Sequence, residues 1–285
     1  MPELQRVFVG EKHTGIKETT MLNSAYQKVI EIINSEDIIF PPSLQNALEL
    51  RKLLLDPNID LATLTICIRK DPIISLAVLK LANSPMYVRQ VKELKDAISF
   101  LGLSALNYVL FGILQKQLSH VIQGSLGSEL VKQIWQYSLD VAGSTFAIAK
   151  TESTDLVAEE SILLALTLHL DLMFATYAVA KTGLVTEYQE YAIFIRRIAH
   201  THRNKLMALY GVCAESAQNL SHAYWAYPAE YLPAPITAIE ALSMGINSTE
   251  IPFALRLLLP SNAYSNTLTT EQFEHKSKVT KSLNF

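Results

Sequence analysis

His169 and Asp171 stand at the middle of an otherwise apolar run, Ile162 to Ala180, and are the residues whose chemistry departs most from their surroundings. The run is about as long as the ~20 residues of a membrane span, but this pair at its centre favours a buried helix. His200-Thr201-His202 places two imidazoles at the spacing of one strand face, yet they follow Arg196-Arg197 where a helix is expected to end. The first reading of that cluster is compensation of the helix dipole. With Arg203 and Lys205 it could instead bind a phosphate or an acidic partner surface, but it is too short to imply nucleic acid. His222-Ala223-Tyr224-Trp225-Ala226-Tyr227-Pro228 is aromatic-rich and closes a helical pattern. It reads as core packing at a helix corner, or as the cap of a ligand pocket or partner-binding hot spot. No Gly-rich phosphate loop, no Ser-His-Asp order and no paired carboxylates in a common apolar setting occur.

The elements that must position these residues are helices. Apolar residues recur at spacings of three and four, without strand-type alternation of useful length, so the chain reads as all-α. Its 285 residues suffice for a sizeable core, and 18% charged residues with a mean hydropathy of +0.20 predict tightly packed, strongly apolar helices. A net charge of −3 supplies no field that would draw the chain to nucleic acid or anionic lipid. Cys67 and Cys213 both lie in apolar helical patterns, which fits core positions in a reducing compartment rather than a disulfide framework. The first residues lack the apolar stretch of a secretory signal, so the expected location is cytoplasmic.

The segment from Asp71 to Pro85 has both helix ends written into it. Asp71 suits the N-cap and Pro72 suits N1; Asn83 suits a left-handed helix end, and Ser84-Pro85 stops continuation. Ile73, Leu76, Ala77, Leu79 and Leu81 give apolar coverage on nearly all sides, which predicts a largely buried helix. Other helices are expected over 20–34, 43–55, 60–70, 94–100 and 104–120, the last two separated at Gly102. Tyr87, Tyr108 and Phe111 are expected to pack the joint between short helices. Gln123-Gly124-Ser125-Leu126-Gly127-Ser128 is the expected hinge, followed by helices over 129–150, 155–181, 185–199, 205–224, 229–244 and 248–258. The chain is thus divided into a flexible N-terminus (1–19), an N-terminal helical subdomain (20–122), a C-terminal one (123–260) and a flexible tail (261–285).

Phe40-Pro41-Pro42, Asp71-Pro72, Leu81-Ala82-Asn83-Ser84, Asp96-Ala97-Ile98 and Leu101-Gly102 resemble the HDOD domain, the HD-related output domain of bacterial signalling proteins. The resemblance continues through Trp135-Gln136-Tyr137-Ser138-Leu139-Asp140, Leu168-His169, Ala214-Glu215 and Trp225-Ala226-Tyr227-Pro228. It implies a compact all-α bundle whose second half is similar to HD-type metal-dependent phosphohydrolases. In those enzymes a first His, an adjacent His-Asp pair and a later Asp hold the metal. Here Tyr137 stands where a Trp-x-His-Ser helix carries the first His, and His169 is followed by Leu170. A phenol with a pKa near ~10 is a poor ligand for a divalent metal at neutral pH. Asp171 is one position late, a rotation of about 100° on a continuous helix, and is expected to face elsewhere. Cys213 stands where family members often carry His, and no final Asp can be placed between Pro235 and Asn247.

The catalytic site is therefore read as absent. His169 becomes a buried imidazole bonded to backbone or to Tyr137, or a polar anchor in a vestigial pocket with Tyr137, Asp171, Cys213, His222 and Trp225. Asp71, Pro72, Asn83, Ser84, Pro85 and Gly102 are structural. The expected function is a non-catalytic bacterial signalling or regulatory adaptor whose partner is a signalling protein or a small-molecule ligand, with no nucleic acid, membrane or cofactor. The alternative is a divergent phosphohydrolase using a divalent metal on His169, Asp171 and further ligands.

Overall fold

Apolar residues at helical spacing become helices along the described chain of the computed structural model. In order these are α1 (Gly15–Asn34), α2 (Pro42–Leu54), α3 (Leu61–Arg69), α4 (Pro72–Ala82), α5 (Leu94–Val121) and α6 (Leu126–Glu152). They continue with α7 (Asp155–Thr167), α8 (Leu170–Lys181), α9 (Tyr188–Ala208), α10 (Ala238–Asn247) and α11 (Thr270–Leu283). The structure describes residues 15–34, 42–56, 58–87, 90–122, 126–184, 186–210, 212, 220, 237–252, 255–256, 258–259 and 268–283, and no strand occurs among them.

The caps of α4 explain its length. The Asp71 carboxylate accepts hydrogen bonds from the Ile73 and Ile74 amides at 2.9 and 3.2 Å, with Pro72 behind it at N1. At the other end Asn83 is not left-handed (φ −102°, ψ 12°). Its side chain works as a clamp instead: Nδ2 donates to the Leu79 and Val91 carbonyls at 2.8 and 2.9 Å, and Oδ1 accepts from the Val91 amide at 2.8 Å. Asn83 thereby ties the exit of α4 to the entry of α5. The expected burial on nearly all sides also fails, because Ile73 and Leu76 are exposed while Ile74, Ala77, Val78 and Leu81 face the core.

Gly102 breaks α5 as expected, at φ 71° and ψ 178°, a conformation that only glycine adopts without strain. Tyr108 and Phe111 are buried beyond this break, and Tyr87 meets Phe100 edge-on at 5.3 Å. The central α6 packs against α5, α7, α8, α10 and α11. Residues 126–128 of the expected hinge belong to this helix. Gly127 is there for close approach, since a Cβ on it would lie 2.7 Å from the Tyr191 hydroxyl. Residues 123–125 lie outside the described residues.

Three further expectations are corrected. Helix α1 begins at Gly15, inside the segment expected to be a flexible N-terminus. The helix expected over 248–258 does not begin at Ser248, which caps α10, and residues 249–252 are not helical; 253, 254 and 257 lie outside the described residues. The tail expected to be loose from 261 onward carries α11, whose Val279 and Leu283 are buried and whose Gln272 donates to Thr151 Oγ1 at 2.9 Å. Few apolar residues per turn hid it, because it needs only a narrow stripe to dock on α6.

Two stretches, Leu94–Leu118 and Val157–Lys181, are long and apolar enough to cross a membrane; their most apolar windows are 72% and 89% buried within the protein.

Candidate functional site

Tyr137 and Ser138 lie on the inner face of α6, both within 1% of complete burial. They face the junction of α7 and α8. The expected single helix over 155–181 is broken there, with α7 ending at Thr167 and His169 holding φ −112° and ψ 17° before α8. His169 is 1% exposed, and its Nδ1 lies 2.8 Å from Ser138 Oγ. The same hydroxyl lies 2.9 Å from the Ile134 carbonyl. A serine has one proton, and a carbonyl can only accept it, so Nδ1–H of His169 is the donor to Ser138. The imidazole is thus the neutral Nδ1–H tautomer. Burial, reinforced by the Arg203 charge, pushes its pKa down to about 3 from 6.5.

Asp171, one position past Leu170 within α8, is buried. Its carboxylate lies 2.5 Å from Arg203 Nη1 and accepts from the Leu172 amide at 2.9 Å. Burial raises the Asp171 pKa, and the guanidinium opposes that rise. Arg203 comes from α9, which continues to Ala208 across a kink at His202 (φ −115°, ψ 17°). The cluster therefore lies at a break between two helical pieces, as expected, and makes specific contacts there. Tyr26 of α1 meets His202 Nε2 at 3.4 Å and lies 5.2 Å beneath the Arg197 guanidinium.

Of the residues singled out beforehand, Tyr137 and His169 meet, with ring centroids 5.3 Å apart, and Asp171 joins His169 beside the Arg203 charge. The Tyr137 hydroxyl is buried without a hydrogen bond to any described residue, and burial pushes its pKa up. A partner of His169 that was not expected is Ser138. Cys213, His222 and Trp225 lie outside the described residues. Ser138 and Arg203 were missed as site residues. Ser138 lies on the same helix next to Tyr137, which is a readable signal; the pairing of Arg203 with Asp171 depends on how α9 crosses α8, which is not.

Among the described residues, the donor set does not fit a divalent metal of the HD phosphohydrolase kind. The phenol of Tyr137 is held protonated, and the carboxylate of Asp171 carries a cationic partner that would repel a second cation. Among the described residues no three His, Cys, Asp or Glu side chains gather as a metal-ligating group.

The HDOD domain family matches residues 40–192, more than half of the sequence, and the chain belongs to that family. No curated protein matches the sequence significantly. Among solved structures, the fold is similar to a candidate metal-dependent phosphohydrolase from Shewanella amazonensis SB2B, at a TM-score of 0.62 and 15% identity over 93% of this chain and 99% of that one. It is also similar to an HDOD domain protein of unknown function from Geobacter sulfurreducens, at a TM-score of 0.51 and 16% identity over 92% and 99%. At these identities the likeness establishes the all-α fold.

Proposed function

We propose that this HDOD chain is a non-catalytic signal-transduction or regulatory adaptor of the bacterial cytoplasm, acting through contacts with a signalling protein or through a small ligand. The observation that carries this reading is the Arg203–Asp171 ion pair at 2.5 Å beside a neutral, Ser138-bonded His169. A hydrolytic metal lowers the pKa of its attacking water and needs several convergent donors to be held there. In this chain Asp171 is engaged by Arg203 and His169 by Ser138, so the centre supports the packing of α6, α8 and α9. A free, half-buried Cys67 supports a reducing location. The modest negative charge favours a protein or small-molecule partner over nucleic acid or an anionic membrane.

Hydrolysis tests the reading directly. Purified chain supplied with manganese, iron or zinc should not turn over nucleotides or cyclic dinucleotides above the rate without protein. Metal-dependent turnover that disappears in His169→Asn or Asp171→Asn would establish the phosphohydrolase alternative.

A further inference from the structure

We propose that the outward side of α3 and α4 is a docking surface for an acidic amphipathic helix of a partner protein. This deepens the reading of a regulator that works by protein contact, but rests on different residues from those around His169. Ile66 on α3 is 58% exposed, and Ile73 and Leu76 on α4 are 59% and 68% exposed. These are three large apolar side chains within eleven positions. Both helices pack against α5 and turn inward Leu64, Thr65 and Ile68 from α3 and Ile74, Ala77, Val78 and Leu81 from α4. The exposed residues therefore lie on the side away from α5, and Ser75 Oγ, donating to the Ile68 carbonyl at 2.9 Å, fastens one helix to the other.

Bases outnumber acids around these apolar residues. At 100° per residue, Ile73, Leu76 and Lys80 fall within about 60° of arc on α4, and Ile66, Arg69 and Lys70 within about 100° on the end of α3. Arg69, Lys70 and Lys80 are exposed. The two bordering acids are engaged as helix caps: Asp60 accepts from the Thr63 amide at 2.8 Å, and Asp71 from those of Ile73 and Ile74. On a chain of net charge −3, this is an apolar surface with a basic rim. Its complement is a helix with apolar anchors at i, i+3 or i+4 and i+7, flanked by Glu or Asp. An anionic lipid surface matches it less well, since no exposed Trp or Phe accompanies the three bases on these two helices and the whole chain is acidic.

A labelled Leu/Glu amphipathic helical peptide, titrated into the 15N-labelled full chain, tests this. Saturable binding is expected, with amide shifts centred on Ile66, Ile73 and Leu76, weakening as salt rises, and no matching binding of a Leu/Lys peptide. Leu76→Ser and Lys80→Glu should each reduce affinity about tenfold. Both side chains are exposed, and unchanged thermal melting will show that the variants are folded. No saturable binding, equal binding of the Leu/Lys peptide, shifts elsewhere, or a preference for phosphatidylserine vesicles over the Leu/Glu peptide would overturn the proposal. The hydrolysis result for the buried centre is unaffected by any of these outcomes.

Discussion

Arg203 Nη1 lies 2.5 Å from the Asp171 carboxylate, joining α9 to the start of α8 next to a histidine that burial keeps neutral. The Asp171 side chain is 5% exposed and that of Arg203 22%, so the attraction acts with little screening, and either charge left alone is costly.

Arg203→Met is therefore expected to destabilise the chain by about 3 kcal/mol, because it leaves a buried carboxylate unpaired. Adding Asp171→Leu should recover most of the loss. Urea unfolding of both single variants and the double variant measures the coupling; simple additivity of the two single losses would show that the pair does not act as a unit.

Ser138→Ala removes the acceptor of the His169 Nδ1 proton and should cost about 1 to 3 kcal/mol, the penalty of an unmet buried donor. Nitrogen chemical shifts of the His169 ring should show protonated Nδ1 and bare Nε2 in the wild type. The opposite tautomer would contradict the Ser138-to-Ile134 bonding order.

The depressed His169 pKa also gives a sign for pH dependence. Unfolded, the ring takes a proton below its ordinary value of 6.5, whereas the folded ring resists protonation down to about 3. The unfolded state therefore binds more protons in that window, and stability falls as pH falls through it, by about 1.4 kcal/mol per pH unit for this one group. His169→Asn, which keeps a donor for Ser138, should lower the slope between pH 6 and pH 4 by close to one proton.

Asn83 separates two accounts of one helix end. A left-handed cap would tolerate Asn83→Gly well, but a side-chain clamp on Val91 loses its hydrogen bonds in either Gly or Ala. Both substitutions are expected to cost about 1 to 2 kcal/mol, measured by thermal or urea unfolding. A neutral Asn83→Gly would restore the left-handed reading.

Helix α11 predicts a similar cost where a loose tail would predict none. Leu283 is fully buried, so Leu283→Ala should destabilise by about 2 to 4 kcal/mol and lower Tm.

These particulars show what was legible in the residues. Asp71-Pro72 and Gly102 act on the backbone within a few residues of themselves, so their roles could be read from position alone. Tyr137 and His169 were legible as a pair because the family resemblance placed them there. Asp171 was legible as a polar residue in an apolar run, but its partner was not, because Arg203 comes from another helix. Arg203 and α11 depend on how distant helices cross, and side-chain spacing within one helix carries no record of that.

The central claim, that the buried centre is occupied by its own ion pair and hydrogen bonds rather than by a metal, is tested most directly by the metal content of the chain. After purification without chelators and equilibration with manganese, iron and zinc, elemental analysis should find well under one metal ion per chain bound at the centre. A stoichiometric metal lost together with His169→Asn or Asp171→Asn would contradict the account.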